Sequence, residues 1–100
     1  MSLESVTEEL RTKTAAAAPL GHTIKFDLGT DGVVFWDGTG AAAAIDNTDR
    51  DAEAAIAIAL GDFEQLLAGQ LDPTMAYMTG KLKLTGSMGV ALKIGEILRN

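Results

Sequence analysis

The apolar positions of the chain keep two periods, and each change of period marks an element. Residues 2–13 set Leu3, Val6 and Leu10 at the spacing of one helix face, and Ser5 to Glu8 matches a capping box. A short amphipathic helix is therefore expected to begin at Ser2 or Ser5. Ala15 to Ala18 prolong it, and Pro19 with Gly21 end it. From Thr23 to Leu28 the period is two, with Ile24, Phe26 and Leu28 on one side and Thr23, Lys25 and Asp27 on the other, as in a half-buried strand. Gly29-Thr30-Asp31-Gly32 reverses the chain into Val33-Val34-Phe35-Trp36, a strand apolar on both faces that belongs away from the sheet edge. Asp37-Gly38 turns again, and Ala41 to Asp46, too short for a helix, predicts a third strand. Ala52 to Leu60 alternates bulky Ile56, Ile58 and Leu60 with alanines, a fourth strand with one thick and one thin face.

After Gly61 the helical period returns. Asp62 is expected to cap a helix carrying Phe63, Leu66 and Leu67 and closed by Gly69. Asp72 and Pro73 open a shorter one through Met75, Ala76, Tyr77 and Met78 to Gly80. Lys81 to Thr85 alternates as a fifth strand, and Gly86-Ser87 leads into a last helix from Met88 to about Arg99. Helix, four strands, helices, strand, helix is the order of an α+β fold, a five-stranded mostly antiparallel sheet with helices packed on it. One hundred residues suit a single domain spanning 1–100, with 1–18 its N-terminal helix and 22–100 its sheet and remaining helices.

The last helix carries more apolar surface than docking on a sheet requires. Met88, Ala91, Leu92, Gly95 and Leu98 form one stripe, Val90, Ile94 and Ile97 form a second beside it, and only Lys93, Glu96 and Arg99 leave a polar seam. One docked face needs an apolar stripe somewhat over ~100° wide. Met75, Met78 and Met88 concentrate adaptable apolar side chains in the same region. The surplus calls for a cover: a bound lipid, a partner subunit or a membrane surface.

Composition narrows the choice. There is no cysteine, which excludes disulfides and thiolate metal sites, and the net charge of -6 makes nucleic-acid binding through a general basic field improbable. The charge is uneven: residues 81–100 hold four cations and one anion, net +3, while residues 1–80 hold four cations and thirteen anions, net −9. These lysines are either solvated faces or contacts for anionic groups. The only histidine, His22, stands at a strand entrance and reads as a solvated loop residue, which leaves an acid–base or nucleophilic enzyme without its base. Asp27, Asp37 and Asp46 sit at turns and exposed strand faces, and the acidic run 46–53 lacks the glycine of a calcium loop, so no metal site is expected. Gly86-Ser87-Met88-Gly89 is neither a phosphate loop nor a dinucleotide fingerprint. An amino terminus without a basic and apolar leader, and no run long enough to span a membrane, read as cytoplasmic.

From Gly69 to Ile94 the chain carries Gly69 with Pro73, an aromatic at Tyr77, Gly80-Lys81-Leu82-Lys83, and Gly86 with Met88-Gly89, Ala91 and Lys93. This run resembles the most characteristic segment of the sterol carrier protein 2 family, and the passages Ile24 to Trp36 and Ala55 to Leu67 are similar to it in order. The resemblance implies helices over one face of the sheet and an apolar tunnel between them. Its lining would come from Met88, Val90, Leu92, Ile94 and Ile97 of the last helix, Phe63, Leu67, Met75 and Met78 of the central helices, and Val34, Trp36, Ile56 and Ile58 of the strands. It further implies non-enzymatic binding and transfer of fatty acid, fatty acyl-CoA, phospholipid or sterol, with Lys81, Lys83 and Lys93 as head-group contacts and a transient membrane contact. No catalytic residue, metal or cofactor is implied. The short helical lead and the small residues from Gly40 to Ala44 favour a compact bacterial-type member with acyl-chain cargo. The alternative is an interaction or dimerisation module that buries its C-terminal helix in a partner.

Overall fold

The computed structural model describes residues 2–15 and 19–98. The expected prolongation of the first helix through Ala16 to Ala18, and the end of the last helix at Arg99, lie outside the described residues. Among the described residues the elements are α1 (Leu3–Ala15), β1 (Thr23–Asp27), β2 (Val33–Asp37), β3 (Ala44–Asp46), β4 (Ala54–Ile58), α2 (Leu60–Leu67), α3 (Pro73–Met78), β5 (Leu82–Gly86) and α4 (Met88–Leu98). The five strands lie in the order β3-β2-β1-β4-β5. All neighbours are antiparallel except β1 and β4, so the sheet is the mostly antiparallel one expected, with β2 inside it.

That one parallel pair requires the chain to cross from the β3 edge to the far side of β1. Residues 47–53 make the crossing over the outer face of the sheet. There Lys25 Nζ lies 2.9 Å from Asp49 Oδ1, Arg50 bridges Asp46 at 2.9 Å, and the Arg50 guanidinium covers the Phe35 ring at 4.0 Å from its centroid. The hydrogen bond to Asp49 is the main reason the Lys25 ammonium holds its proton above the ordinary lysine range. The acidic run is thus a strap that seals the outward side of the doubly apolar strand. Among the described residues no group of acids or histidine gathers to hold a metal.

On the inner face, register places Ile24, Phe26, Val34, Trp36, Ile45, Ala54, Ile56 and Ile58 side by side, all buried. Val6 and Leu10 of α1, Phe63, Leu66 and Leu67 of α2, and Val90, Ile94 and Leu98 of α4 close over them. The Phe26 and Phe63 rings meet at 4.6 Å between centroids, a tilted contact across the two layers. α1 is capped reciprocally, with Ser2 Oγ accepting from Ser5 N at 3.1 Å and Ser5 Oγ accepting from Ser2 N at 3.0 Å.

Three boundaries differ from the sequence expectation, each for a tertiary reason. The third strand spans only Ala44–Asp46, because its partners are limited to Phe35, Trp36 and Asp37 before β2 turns at Gly38. Gly38 N instead donates to His22 O at 2.9 Å, and any Cβ there would strike Leu20. The fourth strand ends at Ile58, where its pairing with Leu82 ends, and Leu60 is already helical. Asp62 accordingly is not the cap of α2 but lies in its first turn, where a carboxylate still favours the helix dipole.

Candidate functional site

The last quarter of the chain builds a site from small side chains at close approaches. Asp72 caps α3, its Oδ1 accepting from Thr74 N at 3.1 Å, and Pro73 takes the first helical position as expected. Of α3 only Ala76 is buried, so this helix rests on β5 through a methyl group, tied there by Lys81 N donating to Ala76 O at 2.9 Å. At the junction of β5 and α4 the chain turns at Gly86, whose φ of 89° belongs to the left-handed region. A Cβ at Gly86 would run into the backbone of Glu53 and Ala54, while Ser87 N donates to Glu53 O at 2.9 Å. This contact aims α4 back across β4 and β5. Ser87 Oγ then accepts from Val90 N at 3.3 Å at the helix start.

Between α3, α4 and the inner face of β4 and β5 lies an apolar cavity of about 350 Å³ that opens to solvent. Its floor is Ile56, Leu82 and Leu84; α2 contributes Leu66; α3 contributes Pro73, Thr74 and Tyr77. α4 contributes Met88, Ala91, Leu92, Ile94, Gly95, Glu96 and Leu98. Two small residues of α4, Ala91 and Gly95, stand among the larger side chains of the lining. A Cβ on Gly95 would only just touch Pro73, at 3.9 Å. Among the described residues Glu96 is the one charged side chain in the lining, and the hydroxyls of Thr74 and Tyr77 are its other polar side-chain groups. An open cavity thus stands where a tunnel is expected.

Of the expected lining residues, Ile56, Met88, Leu92 and Ile94 meet in this cavity. Val34, Trp36, Ile58, Phe63, Leu67 and Val90 lie in the close-packed core, and Ile97 packs against it. Met75 and Met78 are exposed on α3 and do not line the space. Lys81 and Lys83 border a separate depression with Asp27 and Asp31, and Lys93 lies on exposed α4 surface outside both. His22 is not merely solvated: its Nδ1 lies 2.7 Å from Glu53 Oε2, which also accepts from Thr23 N at 3.4 Å.

Sequence reasoning did not single out Leu66, Pro73, Thr74, Tyr77, Leu82, Leu84, Ala91, Gly95, Glu96 and Leu98 as lining. Two signals pointed to several of them. Leu82 and Leu84 alternate with the lysines and so must face inward, and Ala91 and Gly95 are the small members of the surplus stripe of the last helix.

A helix-covered mixed sheet with a ligand-sized apolar cavity at one end is the architecture of a small binding domain. The chain belongs to the SCP-2 sterol transfer family, whose model matches residues 3–99. Hydroxysteroid dehydrogenase-like protein 2 of Xenopus laevis is 58% identical over 38 residues, 38% of this chain and 9% of that protein. Human sterol carrier protein 2 is 40% identical over 58 residues, 58% of this chain and 11% of that protein. The chain therefore matches about a tenth of the length of these curated relatives. In three dimensions it superposes on sterol carrier protein 2 of Aedes aegypti, solved in complex with the C16 fatty acid palmitate, with a TM-score of 0.76. That match is 18% identical and covers 98% of this chain and 96% of the mosquito protein.

Proposed function

We propose that this protein is a non-enzymatic lipid carrier that shelters the acyl chain of a fatty acid, fatty acyl-CoA or phospholipid, or a sterol, in the cavity between α3, α4 and β5, and releases it elsewhere. The observation that carries this reading is an apolar space of about 350 Å³ whose mouth is rimmed by exposed Tyr77, Met88 and Leu92. Such a rim is unfavourable in water and is relieved when an apolar ligand covers it. Each methylene withdrawn from water contributes ~0.8 kcal/mol, so a chain of several methylenes suffices for useful affinity without a dedicated charge partner. Acyl cargo is favoured because the mosquito relative is solved with palmitate. Carriage without chemistry is favoured because the His22 imidazole is engaged with Glu53 and lies outside the cavity lining.

The test is titration of a fluorescent fatty acid into the protein and into the Ala91→Trp variant, whose indole would occupy the cavity. Saturable one-to-one uptake is expected for the native chain, and affinity weaker by about tenfold or more for the variant, equivalent to at least ~1.4 kcal/mol. Equal affinity in an Ala91→Trp protein with unchanged circular dichroism would overturn the proposal.

A further inference from the structure

Sulfur is concentrated at the open end of the molecule. The chain has no cysteine, so methionine thioethers are its only sulfur groups. Among the described residues the methionines are Met75, Met78 and Met88, and they are 54%, 73% and 53% exposed. Methionine is ordinarily one of the residue types most often buried, so three wet thioethers on two neighbouring helices are an unusual placement.

Position separates the three. Met75 and Met78 lie on α3 outside the cavity, whereas Met88, at the start of α4, lines it together with Leu82, Leu84 and Leu92. Met88 is thus the one described thioether that both solvent and an apolar cargo reach. Thioether oxidation by a peroxide needs only that access. The S–O bond forms as the O–O bond breaks, and the hydroxide released takes the proton of the bound oxygen and leaves as water. Sulfur loses the two electrons that the peroxide gains. The product is a polar, chiral sulfoxide set in an apolar lining, and an acyl chain laid over it would strip a hydrogen-bonding oxygen of its water.

We propose that Met88 is an oxidation site that sets cargo affinity: a hydroperoxide converts it to the sulfoxide and the cavity lets go of its acyl chain, while Met75 and Met78 oxidise without this effect. This inference rests on the cavity being the cargo site. The change is reversible, because methionine sulfoxide reductases return the thioether, the oxygen leaving as water while a dithiol closes to a disulfide. Cargo in turn covers Met88 and shields its sulfur, so a loaded carrier resists the oxidant that an empty one does not.

The test titrates a fluorescent fatty acid into the native chain before and after mild hydrogen peroxide, with peptide mass spectrometry locating the added oxygen. Affinity weaker by about tenfold is expected once Met88 carries the oxygen. Each variant is compared with its own untreated form. The same fall is expected in the double variant Met75→Leu, Met78→Leu, which retains Met88, and no fall in Met88→Leu. Reductases for both sulfoxide epimers, with dithiothreitol, should restore the native affinity. On the native chain, saturating palmitate is expected to slow oxidation of Met88 several-fold and to leave the rates at Met75 and Met78 as they are without ligand. Equal affinity before and after oxidation, an equal fall in Met88→Leu, no recovery with the reductases, or Met88 oxidised as fast with palmitate as without it would overturn the proposal. Failure of the untreated native chain to take up the fatty acid would instead remove the cargo reading on which it rests.

Discussion

Two ends of the same sandwich handle apolar surface in opposite ways. Over β1 and β2 the helical layer is closed: Val6 and Leu10 of α1 and Phe63 of α2 are fully buried against the sheet, and Phe63 stacks on Phe26. Over β4 and β5 the layer is open, because α3 meets the sheet through Ala76 and α4 approaches α3 through Gly95. Large side chains at the first end interdigitate between α1, α2 and β1. Small ones at the second end lie at the close approaches beside a cavity, with Met75, Tyr77, Met78, Met88 and Leu92 left exposed while Val90, Ile94 and Leu98 of α4 are buried. The difference is therefore one of where the bulk is placed, not of how much apolar surface each helix has, and it divides the molecule into a part that holds the fold and a part that is free to take a ligand.

Substitutions at matched helical positions should separate the two ends. Phe63→Ala removes a ring from the closed end and is expected to cost about 3–5 kcal/mol of stability in urea unfolding, whereas Leu92→Ala at the open end should stay within about 0.5 kcal/mol of the native value. Comparable losses at both positions would mean that the α3 and α4 end is packed as tightly as the other. A smaller effect is expected at the joint between the ends. Gly86→Ala puts a side chain into a left-handed backbone position already pressed against Glu53. It should cost about 1–3 kcal/mol and loosen α4, seen as faster amide exchange in residues 88–98 than in β1.

The smallest effect lies at the turn after β2, beyond both helical faces. Asp37 Oδ1 accepts from Thr39 Oγ1 at 2.5 Å and from Thr39 N at 3.0 Å, and these bonds, the hydroxyl first, hold its carboxyl below the usual 3.8 of an aspartate. A carboxyl depressed on folding adds stability that is present above 3.8 and is lost as pH falls through the folded value. Carboxyl-detected NMR should place the Asp37 midpoint below 3.8 and move it upward in Thr39→Ala. A midpoint that Thr39→Ala leaves in place would show that the hydroxyl does not contribute.

Much of this architecture could be read from the chain before any coordinates. The period-two alternation of Ile24 and Phe26, the doubly apolar Val33 to Trp36, and the Asp72-Pro73 helix start are local signals, each confined to a few neighbouring residues, and each corresponds to an element in the structure. The surplus stripe on the last helix likewise pointed to a face that the core would not use. Local patterns fell short where a residue's state depends on a distant partner. Phe35 is buried because Arg50 lies over it, and Ala41 to Ala43 remain outside the sheet because β2 ends at Asp37. His22 is engaged because the parallel pairing of β1 and β4 brings Glu53 beside it.

By itself the sequence determined the elements, their order and the excess of apolar surface near the carboxyl end, since periodicity and capping act within a turn or two of chain. The tertiary structure decided which apolar side chains of that region enclose space and which are left in water. That choice turns on a few ångströms of approach between α3, α4 and β5, set by Gly86 against Glu53 and Gly95 against Pro73, residues far away in the chain, and no local pattern contains it.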